Sequence, residues 1–256
     1  MARMTAPHPR LRLYDANCMI GPTPWGLPGD LDADALERRM DRFGIERSLV
    51  CHTAAWRHDP ATGNALVVSA LAGRPRLRPC WVGVPSTCAE MPPAKEFAEQ
   101  ALRAGVGAIR VFPGDHGFAL DGPDFAPQAD ALAEAGLPLL VDIDSTSWAA
   151  VDRLLFAHPD LVVVVCATGY RAMRPAAGLL DRHVNARLDL SDLSTHEGFE
   201  WVCATFGAHR VVFGTGAPLR DPAEAVTRLL WSDLDDEAIA QVAAGNLDAL
   251  LPEEPR

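Results

Sequence analysis

Phe43-Gly44-Ile45-Glu46-Arg47-Ser48-Leu49-Val50-Cys51-His52 closes a helix on a glycine and opens a strand directly after it. Leu36, Met40 and Phe43 keep helical spacing up to the glycine, which can take the left-handed conformation that ends a helix. Ser48 to His52 is β-rich. The junction Phe206-Gly207-Ala208-His209-Arg210 repeats the same handover near the other end of the chain.

Working outward, β-rich runs recur at Leu11 to Asn17, Ser48 to His52, Leu77 to Val82, Ala108 to Phe112, Leu139 to Ile143, Leu161 to Cys166, Asn185 to Leu190 and Arg210 to Phe213. Helical spacing fills the gaps, as in Phe97, Ala98 and Leu102 or Val151, Leu154 and Leu155. Asp32 or Asp34 marks one helix start, and glycines at 44, 105, 136 and 207 mark helix ends. Eight strand and helix units in 256 residues, with no break in composition, predict one α/β domain over 1–256. The expected fold is a closed (β/α)8 TIM barrel, with Met1 to Arg10 flexible. Gly21 to Leu31, Thr53 to Gly63 and Pro113 to Pro123 read as irregular loops after strands, where a barrel has its catalytic mouth.

Composition narrows the partners. Thirty-four acidic against 23 basic residues leave a net charge of −11, which opposes attraction to nucleic acid or to an anionic membrane. The N-terminus has no apolar segment of signal-peptide length and Leu161 to Ala167 is far too short to span a bilayer, so a cytoplasmic protein is expected. Gly-x-Gly-x-x-Gly and P-loop patterns do not occur, and no nucleotide cofactor is expected. The six cysteines form no Cys-x-x-Cys pair, and most sit in apolar runs, as buried reduced thiols do. Homo-oligomerisation stays open.

Several segments resemble the amidohydrolase-related (amidohydrolase 2 type) family of TIM-barrel proteins, which includes decarboxylase-like and lactonase-like members. They are Asp15 to Gly21, Gly44 to Asn64, His158 to Arg171, Asn185 to Pro218 and Ala243 to Leu251. The C-terminal third is the most specific. Leu188-Asp189-Leu190-Ser191, His196-Glu197-Gly198-Phe199-Glu200, Arg210-Val211-Val212-Phe213-Gly214 and Gly245-Asn246-Leu247 follow one another in the family's order.

The resemblance implies metal-ligand positions: a His-x-His ending strand 1, histidines ending strands 5 and 6, and an aspartate ending strand 8. Here those positions hold Asn17 and Met19, Asp142, Ala167, and Gly216. A catalytic zinc takes about three protein ligands, and of these five residues only Asp142 is a good one. No metal is therefore expected.

Asp142 and Asp144 should share one side of strand 5 by period-two alternation, close enough for an acid and base pair or, equally, for capping the following turn. His52 ends strand 2 as a candidate base or a structural hydrogen-bonding group. Arg110 inside strand 4 needs an anion, either Asp142, Asp144 or Asp189 or the carboxylate of a ligand. Asn17, Tyr170, Arg171, Trp56, Trp25 and His116 are candidate lining residues. His196, Glu197 and Glu200 read as a helix start. Thr215 has no base beside it in sequence.

Together with these residues, the resemblance implies a metal-independent, lactonase-like hydrolase acting on a small, anionic carboxylate-bearing substrate, with Asp142 and Asp144 or His52 activating water and Arg110 stabilising negative charge. A non-catalytic binding or regulatory protein is the alternative. A third reading is a hydrolase or decarboxylase with a rearranged metal site built from Asp142, Asp144, His52 and Cys80.

Overall fold

Strand and helix alternate around a closed ring in the computed structural model, which describes residues 11–23 and 32–254. Trp25, most of the first loop and Met1 to Arg10 lie outside the described residues. The strands are β1 (Tyr14–Ile20), β2 (Arg47–His52), β3 (Leu77–Val82), β4 (Ala108–Val111), β5 (Leu139–Asp142), β6 (Val163–Cys166), β7 (Ala186–Asp189) and β8 (Val211–Val212). They lie in parallel in sequence order. The ring shuts where Ala16 N donates to Phe213 O at 2.9 Å, Gly216 N to Asn17 O at 2.9 Å and Met19 N to Ala217 O at 2.8 Å. This is the predicted (β/α)8 barrel.

The first helices are α1 (Ala33–Phe43), α2 (Thr53–Arg57), α3 (Pro60–Leu71), α4 (Ala94–Arg103), α5 (Pro113–His116) and α6 (Ala126–Glu134). They are followed by α7 (Trp148–Ala157), α8 (Met173–Arg182), α9 (Gly198–Phe206), α10 (Pro222–Leu230), α11 (Asp236–Ala240) and α12 (Asn246–Leu250). Asp32 caps α1 by accepting from Ala35 N at 2.7 Å, and Gly44 ends it at φ 70°. Gly105, Gly136 and Gly207 also have positive φ, as the helix-end reading requires.

Two stretches read as irregular contain helix. Thr53 to Gly63 holds α2 and the start of α3, because His52 and Asp59 each cap a helix and Pro60 supplies a favourable first residue. Pro113 starts α5 in the same way.

Strand alternation sorts the core into two layers. Val50, Ile109, Val111, Leu139, Val141, Val163, Val165 and Val211 face the helices. Leu49, Cys51, Cys80, Ala108, Leu140, Val164, Cys166 and Val212 fill the barrel interior. In β1 the register slips between Asp15 and Cys18. Ala16 belongs to the interior cluster, and Asn17 and Met19 line the mouth beyond it. Such a bulge re-aims side chains at the end of a strand.

Candidate functional site

The mouth at the C-terminal ends of the strands opens into a cavity of about 510 Å³. Asn17, Met19, Asp142, Ala167 and Gly216 all line it. The five positions singled out in the sequence thus come together in space. Among the described residues no three His, Cys, Asp or Glu side chains assemble into a group able to hold a metal.

Instead, a guanidinium sits among them. Arg110, 3% exposed, donates from Nε to Asp142 Oδ2 at 2.7 Å and from Nη2 to Asp142 Oδ1 at 2.8 Å. Its Nη1 donates to Asn17 Oδ1 at 2.6 Å. The anion that Arg110 requires is therefore Asp142, held bidentately. That pair raises the Arg110 pKa, although burial alone would lower it.

The network continues through β1. Asn17 Nδ2 donates to Asp189 Oδ2 at 2.7 Å, and Asp189 also accepts from Ser191 N at 3.0 Å and from the Ser191 hydroxyl. Burial raises the Asp189 carboxyl pKa, and hydrogen bonds from Ser191 and Asn17 partly oppose the shift. Asp15, equally buried, holds the opposite side of β1 against β8. It accepts from Asn17 N at 2.9 Å, from Thr215 N at 2.8 Å and from the Thr215 hydroxyl. Thr215 is thus a tie between strands, and burial raises the Asp15 pKa as well.

The donor set does not fit a hydrolase metal. Both Asp142 oxygens face Arg110, the Asn17 oxygen accepts from the same guanidinium, Met19 offers a thioether, and Ala167 and Gly216 carry no donor. A fixed organic cation occupies the space between β1 and β5.

Other predicted site residues take different places. His52 Nδ1 accepts from Ala54 N at 3.1 Å and caps α2. Its ring packs behind Gly21, where an added Cβ would come within 2.7 Å of Cε1. Burial lowers the His52 pKa, and the residue is not part of the cavity lining. Asp144 does reach the cavity, but through a 3₁₀ turn over Ile143–Ser145 and not through the pleat, because β5 ends at Asp142. The expected Asp142 and Asp144 pair is not formed: Asp142 is engaged by Arg110, whereas Asp144 is exposed and makes no hydrogen bond among the described residues.

Trp56 lines the mouth, stacked on Phe112 with centroids 5.1 Å apart and covered on its ring by Arg57 at 3.5 Å. Its Nε1 donates to Asp115 at 3.0 Å. His116 Nε2 donates to Trp56 O at 2.9 Å and supports that wall from behind. Tyr170 and Arg171 are exposed outside the cavity. His196 and Glu197 lie on the surface before α9. Cys80 is buried in the barrel interior and is not part of the cavity lining, and burial pushes its thiol pKa well up.

The arrangement places the chain. A family model described as amidohydrolase matches residues 26–252. The chain belongs to the amidohydrolase family. No curated protein matches it. Among solved structures, this amidohydrolase resembles 5-carboxyvanillate decarboxylase from Sphingomonas paucimobilis, with TM-score 0.73 and 16% identity, covering 94% of this chain and 98% of that one. It also resembles 2,6-dihydroxybenzoate decarboxylase from Rhizobium, with TM-score 0.74, 16% identity and the same coverage. A third is described as a probable 2-pyrone-4,6-dicarboxylic acid hydrolase from Acinetobacter baumannii with citric acid bound. Its TM-score is 0.68 at 12% identity, over 93% of this chain and 98% of that one. At these identities the likeness shows the fold alone.

Sequence reasoning missed Arg220, Ser191, Arg57 and Phe112 as lining residues. Arg220 carried a usable signal: it follows the last strand, and loops after barrel strands surround the mouth. Ser191 and Phe112 owe their position to turns at strand ends that periodicity does not reveal.

Proposed function

We propose that this amidohydrolase binds a small carboxylate-bearing molecule at the barrel mouth and hydrolyses a lactone or ester in it without a metal. The observation that carries this reading is the seat of Arg110 between Asn17 and Asp142. A permanent guanidinium stands where the family pattern implies a metal, and it can polarise a carbonyl as a fixed cation. Three of its five N–H groups are engaged by Asp142 and Asn17. Two remain for a developing oxyanion.

Among the described residues lining this mouth, Asp144 is the carboxylate that accepts no hydrogen bond, and it acts as the base. It takes a proton from water, the water oxygen attacks the carbonyl carbon, the carbon–oxygen bond to the leaving group breaks, and the proton returns to the departing alkoxide. Three arginines line the cavity, and the relatives are named for aromatic or pyrone acids. Both features favour a planar acid as the ligand.

A non-catalytic binding role is the second reading, favoured by one observation: the Asp142 carboxylate is committed on both oxygens. The two separate in one experiment. Protein purified without chelator is analysed for bound metals and assayed with EDTA against carboxylate-bearing lactones, esters and amides, with a decarboxylation arm using benzoic acids. Sub-stoichiometric metal with chelator-resistant hydrolysis, lost in Asp144→Asn, is the expected result. Acid binding without turnover supports the second reading, and stoichiometric metal with chelator-sensitive activity overturns both.

A further inference from the structure

Arg110 holds Asp142 in its fork, and its two remaining N–H groups serve the oxyanion in the reading above, so a ligand carboxylate calls for another cation. Arg57 lies on the Trp56 ring and pairs with Asp115 at 2.9 Å. Arg220 is different. It donates from Nη2 to Asp192 Oδ2 at 2.6 Å, while Nε and Nη1 have no partner among the described residues. It lines the same cavity as Arg110 and Asp144.

Its position follows from a substitution. After β8 the chain turns so that Arg220 N donates to Gly216 O at 3.1 Å. Gly216 has φ 70°, and a Cβ added there would lie 3.2 Å from Arg220 Cδ and 3.4 Å from Cγ. The arginine stem rests on the bare glycine. A side chain at 216 would push on the stem that crosses it, and a carboxylate there would draw the guanidinium away from the cavity.

Asp192 fixes the other end. Its side chain is 12% exposed and sits on the turn after β7 that also carries Ser191, a second cavity residue. A half-engaged guanidinium held by one buried carboxylate in the lining of a cavity is prepared for a second carboxylate.

We infer that Arg220, seated over Gly216 and positioned by Asp192, is the specificity-determining residue that receives the ligand's carboxylate. The substrate class is then a small planar acid whose carboxylate lies on the β7–β8 side of the mouth, away from the carbonyl that meets Arg110. This rests on the carboxylate-binding reading above.

The test uses benzoate, isophthalate and neutral methyl benzoate as probes, with binding followed by tryptophan fluorescence and calorimetry on the full chain. Wild type is expected to bind both acids more tightly than the ester. Arg220→Gln should weaken acid binding about tenfold to a hundredfold while leaving the ester unchanged. Arg220→Lys should recover part of the loss, and Gly216→Asp should reproduce it without removing the arginine. If turnover is found, the loss should appear in KM more than in kcat. Equal acid binding by wild type and Arg220→Gln would overturn the role of Arg220 while leaving the carboxylate reading intact. Failure of wild type to bind either acid would overturn both. Unchanged thermal melts of the variants separate a lost contact from a lost fold.

Discussion

At the scale of residues, the decisive contact is the buried pair between Arg110 and Asp142. Their side chains are 4% and 15% exposed, so neither charge is well compensated by water once the other is removed. Breaking such a pair from one side costs about 3–5 kcal/mol, whereas replacing both partners with apolar groups often costs little. Arg110→Met should therefore destabilise by about 3 kcal/mol, because it leaves Asp142 without its cation and Asn17 Oδ1 without its donor. Asp142→Leu should cost a similar amount. The double variant should lose clearly less than the sum, a coupling that urea denaturation of all four proteins measures directly. Additive losses would show that the pair is a bystander to folding. The same cycle read by chelator-resistant activity tests whether the cation also serves chemistry.

At the scale of elements, the bulge in β1 and the glycines after β8 act as one device. Asp189, at the end of β7, needs room beside β8 to reach Asn17, and Gly214 supplies it. A Cβ at 214 would lie 2.9 Å from Asp189 Cγ and 3.1 Å from Asn17 Cβ. Asp189 cannot swing aside freely, since Ser191 and Asn17 hold both of its oxygens. Gly214→Ala should therefore cost about 2 kcal/mol or more through overpacking. Gly44→Ala should act differently, because no atom lies within 4 Å of an added Cβ there and only its positive φ is strained. Differential scanning calorimetry of the two variants with and without isophthalate distinguishes them: only the first should also lose any stabilisation by the acid. These elements also mark what sequence could reveal. The strand positions were legible because Val, Leu and Ile runs alternate with glycine-ended helices, and Leu77–Val82 falls where the pattern places it. The first strand lies three residues later than expected, over Tyr14–Ile20. Its bulge breaks the simple period and returns Cys18 and Ile20 to the outer layer. The convergence of Asn17, Met19, Asp142, Ala167 and Gly216 was legible through the family pattern. Arg110 and Asp142 were legible as a candidate pair, but the choice of Asp142 over Asp144 or Asp189 and the third bond to Asn17 were not, because side-chain pairing across β4, β5 and β1 leaves no local signal.

At the scale of the whole molecule, two buried arginines close the two ends of one barrel. Arg110 spans the mouth, while Arg78 in β3 lies at the opposite end, where its Nε donates to Gly105 O at 3.1 Å and its Nη2 to Pro252 O at 2.8 Å. Leu250 and Leu251 pack on the interior cluster just before that carbonyl, so Arg78 fastens the C-terminal segment across the barrel floor. Barrel function concentrates at the C-terminal ends of the strands and stability at the other end. Arg78→Met keeps the apolar stem but leaves part-buried carbonyls without donors, a change that should cost about 2 kcal/mol. It should lower the denaturation midpoint without changing acid affinity or metal content of the folded fraction. No helix among the described residues is long and apolar enough to cross a membrane. The denaturation is followed by tryptophan fluorescence. A loss of acid binding in Arg78→Met at temperatures where circular dichroism shows the fold intact would mean that the two ends of the barrel are coupled. Unchanged binding beside a lowered midpoint would show that the arginine at the mouth and the arginine at the floor do separate work on one scaffold.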